Sequence, residues 1–146
     1  EQWDRIKSEH KNKREKTAYL DSVGTALPPL ERANKLQKRA AKVGFDWPGF
    51  DGVIGTLREE IDEAEREYQH GEPPSKGLEQ EIGDLLFSAV NVARHIGIDP
   101  SVALHAANQK FVRRFGFVEA ELKENGSSLH DATLEEMDAL WNAAKP

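Results

Sequence analysis

Apolar positions along this chain recur at three- and four-residue intervals, with no convincing alternation, and that spacing predicts helices throughout. Residues 1 to about 20 are highly charged with few apolar positions and read as a weakly anchored helix. Asp21 to Leu27 reads as a linker. Pro28-Pro29 then opens a helix that runs to Val43, with Gly44 as its stop. Phe45-Asp46-Trp47-Pro48-Gly49 forms an aromatic loop. The next helix spans Phe50 to Gln69 and stops at Gly71. Gly71-Glu72-Pro73-Pro74-Ser75 is a turn-rich connector into a helix from Lys76 to Ile96, with Gly97 past its end. Asp99 as N-cap and Pro100 at the first helical position start another helix, which ends near Asn125 before Gly126. Thr133-Leu134-Glu135-Glu136 fits a capping box before a short last helix.

The short connector at 71–75 makes its two flanking helices antiparallel. The fold class is therefore an all-α bundle. Its helices are few and carry acids along their inner edges, so a core pooled across a homodimer is expected rather than a closed monomeric one.

The acids form a pattern. Glu60 and Glu63 stand three residues apart, as do Glu81 and Asp84. Residues i and i+3 share a helix face, so each pair aims two carboxylates one way. Glu60 and Glu63 lie along one edge of an apolar stripe of Leu57, Ile61, Ala64 and Tyr68, whereas Glu59 and Asp62 point away. Glu81 sits at the margin of a stripe of Ile82, Leu85, Leu86, Ala89, Ala93 and Ile96, and Asp84 follows on the same side. An acidic helix is more often a solvated face. Here the acids meet if the stripes pack, and bringing like charges together is costly unless a cation offsets it. Four hard oxygen donors suit Mg²⁺, with Mn²⁺ as the alternative, and not zinc.

Length and charge narrow the field. A chain of 146 residues is one domain's worth. It has no cysteine, which excludes disulfides, zinc-thiolate sites and thiol nucleophiles. No apolar run approaches the roughly 20 residues that span a bilayer, so no membrane association is expected and a cytoplasmic location is. The net charge of −6 argues against general nucleic-acid binding. The single methionine is Met137, so residue 1 reads as the start of a processed product or a fragment.

A basic cluster complements the acids. Lys110, Arg113 and Arg114 are neighbours at i, i+3 and i+4 and flank the stripe Ala107, Phe111, Phe115, Val118 and Leu122. Such cations either solubilise a surface or clamp an anion. Beside a four-acid metal site they read as phosphate contacts. His95 shares a face with Asp84, Ser88 and Asn91 and reads as a structural histidine. Trp47 and Trp141 are candidates for core packing or for stacking on a base. No P-loop or GxGxxG loop is present.

These residues resemble the MazG-type nucleoside triphosphate pyrophosphohydrolases of the all-α NTP pyrophosphatase superfamily. The superfamily signature, ExxE, a spacer and ExxD, matches Glu60-xx-Glu63 and Glu81-xx-Asp84. Four longer stretches are similar too: residues 32–38, 43–47, 83–87 and 108–115. The resemblance covers Leu27 to the C-terminus. It implies a Mg²⁺-dependent helical homodimer that hydrolyses (deoxy)nucleoside triphosphates to the monophosphate and pyrophosphate. It assigns Glu60, Glu63, Glu81 and Asp84 to the metal, and Lys110, Arg113, Arg114, Trp141 and Asp84 to the nucleotide. Attack of water on the α-phosphorus is then expected, with Glu59 or one of the four ligands taking its proton. The family often holds two copies of the domain in tandem. Trp3-Asp4-Arg5-Ile6-Lys7 echoes Trp141-Asn142-Ala143-Ala144-Lys145, so residues 1–26 read as the tail of a preceding copy and 27–146 as the catalytic domain. Thr56 and Gly77 stand where some members carry basic residues, and Gly116 interrupts the helix after the basic cluster. The competing readings are a dUTPase or phosphoribosyl-ATP pyrophosphohydrolase of the same superfamily, and a non-catalytic, metal-stabilised dimerisation module.

Overall fold

The computed structural model describes residues 1–7 and 18–146. Residues 2–7 are helical, and the rest of the first expected helix lies outside the described residues. A 3₁₀ turn at Tyr19–Ser22 precedes five α-helices: α1 (Pro29–Lys42), α2 (Phe50–Glu67), α3 (Lys76–His95), α4 (Pro100–Glu124) and α5 (Leu134–Ala143). No strand occurs among the described residues. The chain is thus all-α. It divides into two compact units, Glu1–Pro100 and Ser101–Pro146.

The helix ends follow local chemistry. Pro28 is extended and Pro29 enters the first turn of α1, where its missing N–H costs nothing. At the other end Gly44 has φ +89°. The Phe45 N–H reaches the Ala40 carbonyl (3.1 Å) and the Gly44 N–H reaches Ala41 (3.0 Å). This Schellman pair satisfies two orphan carbonyls and throws the aromatic loop off the helix. The same geometry ends α3 at Gly97, through Ile98 to Ala93 and Gly97 to Arg94. The Ser75 hydroxyl caps α3 by accepting from the Leu78 N–H, and Thr133 caps α5 by accepting from Glu136. α2 ends two residues before the expected Gln69, because Tyr68 is already extended (ψ 128°) and its ring meets His70 edge-on.

In the first unit α2 and α3 form a hairpin and α1 packs on α3. Val53 and Ala64 of α2 and Ser88 and Val90 of α3 are buried. The segment before α1, for which the sequence offers little apolar anchor, is held by polar contacts. The Tyr19 hydroxyl donates to the Arg39 carbonyl (2.9 Å), Arg39 Nε donates back to the Tyr19 carbonyl (2.6 Å), and the guanidinium lies 4.1 Å over the Tyr19 ring. Val23 is buried behind this clasp.

Only part of each expected apolar stripe is covered: Ala64 is buried and Leu57, Leu85 and Ala93 are half-buried. Ile61 and Tyr68 of α2 are exposed, as are Ile82, Leu86, Ala89 and Ile96 of α3, with Leu86 at 59%. Glu81, Leu85, Ser88, Val92 and His95 form one covered line of α3, and Val90 is buried on another side of the helix. α3 must serve α1 as well as α2, so its inner face is broad and partly polar. Glu81 therefore lies within the packed line rather than at its margin.

In the second unit Val118 and Leu122 of α4 are buried, and Phe111 meets Trp141 of α5 at 5.4 Å between ring centroids. Phe111, Val112 and Phe115 remain largely exposed.

Candidate active site

The antiparallel hairpin brings three of the predicted acids together. One carboxylate oxygen from each of Glu60, Glu63 and Glu81 lies within 4.8 Å of the others. Asp84 is more exposed and sits beside them. Its charge acts on both Glu60 and Glu81, and it lines a cavity together with Glu60. Glu59 and Asp62 are exposed, as their helical positions require, although the Glu59 charge still reaches Glu60.

The electrostatics are those of acids awaiting a counter-charge. Partial burial raises the Glu60 carboxyl above its ordinary range, and the charges of Glu63 and Asp84 push it further. Burial raises Glu81 as well, helped by a hydrogen bond with Glu63 and by the surrounding charges. A bond between two carboxyl groups needs a proton. When all are ionised none donates. Glu60 Oε2 and Glu81 Oε2 are then enclosed acceptors with no donor. Hard, anionic, under-satisfied oxygens on two rigid helices fit a divalent cation. Thr56, one turn before Glu60, spends its hydroxyl on the Gly52 carbonyl (3.0 Å) and also lines the cavity. A Cβ on Gly77 would meet the Glu67 carboxylate at 3.0 Å.

The cavity beside the acids encloses about 600 Å³. Its walls include Leu36 and Gln37 of α1, Phe45 and Trp47 of the aromatic loop, and Phe87 and Asn91 of α3. The loop is fixed by a polar network that no sequence pattern announced. Arg94 holds both Asp46 oxygens, Nη2 to Oδ1 at 2.7 Å and Nη1 to Oδ2 at 3.0 Å. Its Nε and Nη2 also donate to Asn91 Oδ1 (2.9 and 2.8 Å). The Arg94 side chain is only 8% exposed. Its hydrogen bonds hold the Asp46 carboxyl far below the usual carboxylate range, against the opposing effect of burial. His95 Nδ1 lies 3.4 Å from Asp46 Oδ1, which makes it part of this structural network as expected. The Asp46 position was visible in the loop motif, but its partner lies 48 residues away, beyond any local pattern.

The basic cluster belongs to the second unit. Lys110, Arg113 and Arg114 line a cavity of about 420 Å³ with Phe117, Ala143 and Ala144. The Arg114 guanidinium lies 5.4 Å from the centre of the Trp141 ring. Three cations beside an aromatic ring suit an anion attached to a flat group.

Residues 50–116, which include both acid pairs and the basic cluster, match the MazG nucleotide pyrophosphohydrolase domain. A nucleoside triphosphate pyrophosphohydrolase of Escherichia coli K12 is 41% identical over 143 residues, 98% of this chain and 54% of that protein. The nucleoside triphosphate pyrophosphohydrolase/pyrophosphatase MazG of Thermotoga maritima is 37% identical over 144 residues, 99% of this chain and again 54% of the relative. YabN of Bacillus subtilis is 47% identical over 143 residues, covering 98% of this chain and 29% of YabN. The chain thus spans about half the length of the first two relatives. Residue pattern and helical fold agree with these matches, and residues 50–116 are similar to a MazG nucleotide pyrophosphohydrolase domain.

Proposed function

We propose that the chain hydrolyses (deoxy)nucleoside triphosphates to the nucleoside monophosphate and pyrophosphate. The observation that carries this reading is the acid cluster, whose enclosed Glu60 and Glu81 oxygens have no donor, within a domain of pyrophosphohydrolase type. Glu60, Glu63, Glu81 and Asp84 hold Mg²⁺, or Mn²⁺ in its place. When bound, the cation supplies Lewis-acid stabilisation of phosphate charge and makes a water easier to deprotonate.

The chain's own groups do the rest. Water forms a bond to the α-phosphorus, and the bond from that phosphorus to the bridging oxygen of the β-phosphate breaks. Glu59, or one of the four ligands, takes the water's proton. Lys110, Arg113 and Arg114 neutralise the charge that grows on pyrophosphate, and Trp141 stands by the nucleotide.

The same reading includes a homodimer. The outward apolar residues Ile61, Ile82 and Leu86, and separately Phe111, Val112 and Phe115, are the surfaces a second copy would cover. Residues 27–146 form the catalytic domain in this reading. No described helix is long and apolar enough to cross a membrane. A panel of ribo- and deoxyribonucleoside triphosphates with Mg²⁺, scored for pyrophosphate against orthophosphate, tests the proposal. Sequential orthophosphate release, or no hydrolysis of any member, would overturn it.

A further inference from the structure

We infer that the cavity under the aromatic loop seats the nucleobase, and that Gln37 reads an exocyclic amino group on it through a fixed amide oxygen. The inference rests on the nucleotide reading above. It starts from Gln37, which is only 7% exposed and lines the cavity. Its Nε2 donates to the Phe87 carbonyl at 2.9 Å. A carbonyl can only accept, so the nitrogen must be the amide atom that faces it. The orientation of the amide is thereby settled, and Oε1 is left as an acceptor. That oxygen is enclosed and has no partner. Phe87 lies inside α3, where its carbonyl already serves the helical ladder. The bond from Gln37 is therefore additional to the helix, and its consequence is to aim Oε1.

The surroundings select the occupant. At about 600 Å³ the cavity is within the usual size of small-molecule sites. Leu36, Phe45, Trp47 and Phe87 give it apolar and aromatic walls, and Glu60 and Asp84 border it. A ligand with a flat apolar body and a phosphate end directed toward a cation on those acids fits both borders. Trp47 is itself seated. Its ring rests against the Gly52 backbone, where an added Cβ would lie 3.4 Å away. Arg94 pins the loop through Asp46.

A single buried acceptor, with its companion nitrogen already committed, favours an amino group that projects beyond the ring, as in adenine or cytosine. In uracil and thymine the ring N–H is flanked by two carbonyl oxygens, which would crowd Oε1. Recognition of a hydrogen-bonding group penalises the analogue that lacks it, because the protein atom is left unpaired.

The test compares nucleotides that differ only by the amino group: adenosine against purine riboside, and cytidine against its 4-desamino analogue. Binding of the monophosphates is followed in chelator by calorimetry, and use of the triphosphates is followed with Mg²⁺. Wild-type protein should favour the amino member of at least one pair about tenfold, the loss expected for one neutral hydrogen bond. Gln37→Met should bring that ratio close to one. Trp47→Ala should weaken both members of the pair alike. Ratios near one in wild type, a ratio that Gln37→Met leaves intact, or no monophosphate binding at all would overturn the inference. The wild-type ratio decides by itself should Gln37→Met fail to fold. Monophosphate binding is independent of turnover, so absent pyrophosphate release with an intact binding ratio would remove the proposed reaction and leave the base-reading role standing.

Discussion

A carboxylate oxygen of Glu63 on α2 and one of Glu81 on α3 lie within 4.8 Å of each other, and the two can be joined by a hydrogen bond only while one of them holds a proton. Ionisation of both leaves repulsion. A cation among the same oxygens replaces that proton. Protonation and metal binding are thus alternative ways of satisfying one cluster, and they compete.

The competition gives a stability profile of definite sign. Glu60 and Glu81 have folded-state pKa values raised above the ordinary carboxylate value. In metal-free protein the native state therefore takes up protons before the unfolded state does as pH falls. Stability should rise from neutral pH through the raised pKa values and be fully gained below the unfolded value. Asp46 acts oppositely, since its folded pKa is depressed. Its contribution is complete above the unfolded value near 3.9 and is lost as pH falls further toward the folded one. Melting temperature in chelator should peak on the acid side of neutrality. Mg²⁺ should raise it at pH 7 and shift it least at the peak. A flat profile between pH 7 and 5 would show that the acids do not interact.

Glu63→Gln and Asp84→Asn should abolish turnover with the helices intact. Each removes a charged ligand at nearly constant shape. Relief of like-charge repulsion should leave the metal-free fold as stable as wild type or slightly more so. Circular dichroism in chelator, beside activity, checks this. Loss of helicity would make these acids structural.

The spacing of the acids was legible because i and i+3 share a face whatever the helix packs against. The helix stops at Gly44 and Gly97 were equally legible, since a left-handed residue is required there. The inward face of α3 was not. Ile82, Leu86 and Ala89 are exposed, whereas Glu81 and Ser88 join the expected Leu85 on the covered side, because α3 packs against both α1 and α2. Gln37 and Arg94 were not legible either, because their partners, Phe87 and Asp46, are distant in sequence.

Asp46→Asn tests the loop clamp. It leaves the Arg94 guanidinium, 8% exposed, with its carboxylate partner gone. Loss of charge-assisted hydrogen bonds of this kind costs about 2 kcal/mol. Thermal or urea unfolding at pH 7 should show that loss. An unchanged midpoint would mean that the pair is compensated by water.

Lys110→Ala and Arg114→Ala should lower kcat/KM for triphosphates roughly thirtyfold, the equivalent of about 2 kcal/mol for one phosphate contact. Their Mg²⁺ affinity should change far less. Salt should weaken the wild type more than the variants. Kinetics indistinguishable from wild type would return these residues to the solvated surface.

The central claim is that water attacks the α-phosphorus at the acid cluster. Hydrolysis of one triphosphate in ¹⁸O-water with Mg²⁺, followed by mass analysis of both products, tests it most directly. The label should appear in the nucleoside monophosphate, with unlabelled pyrophosphate and no product in excess chelator. Label in pyrophosphate, or orthophosphate as the first product, would contradict it.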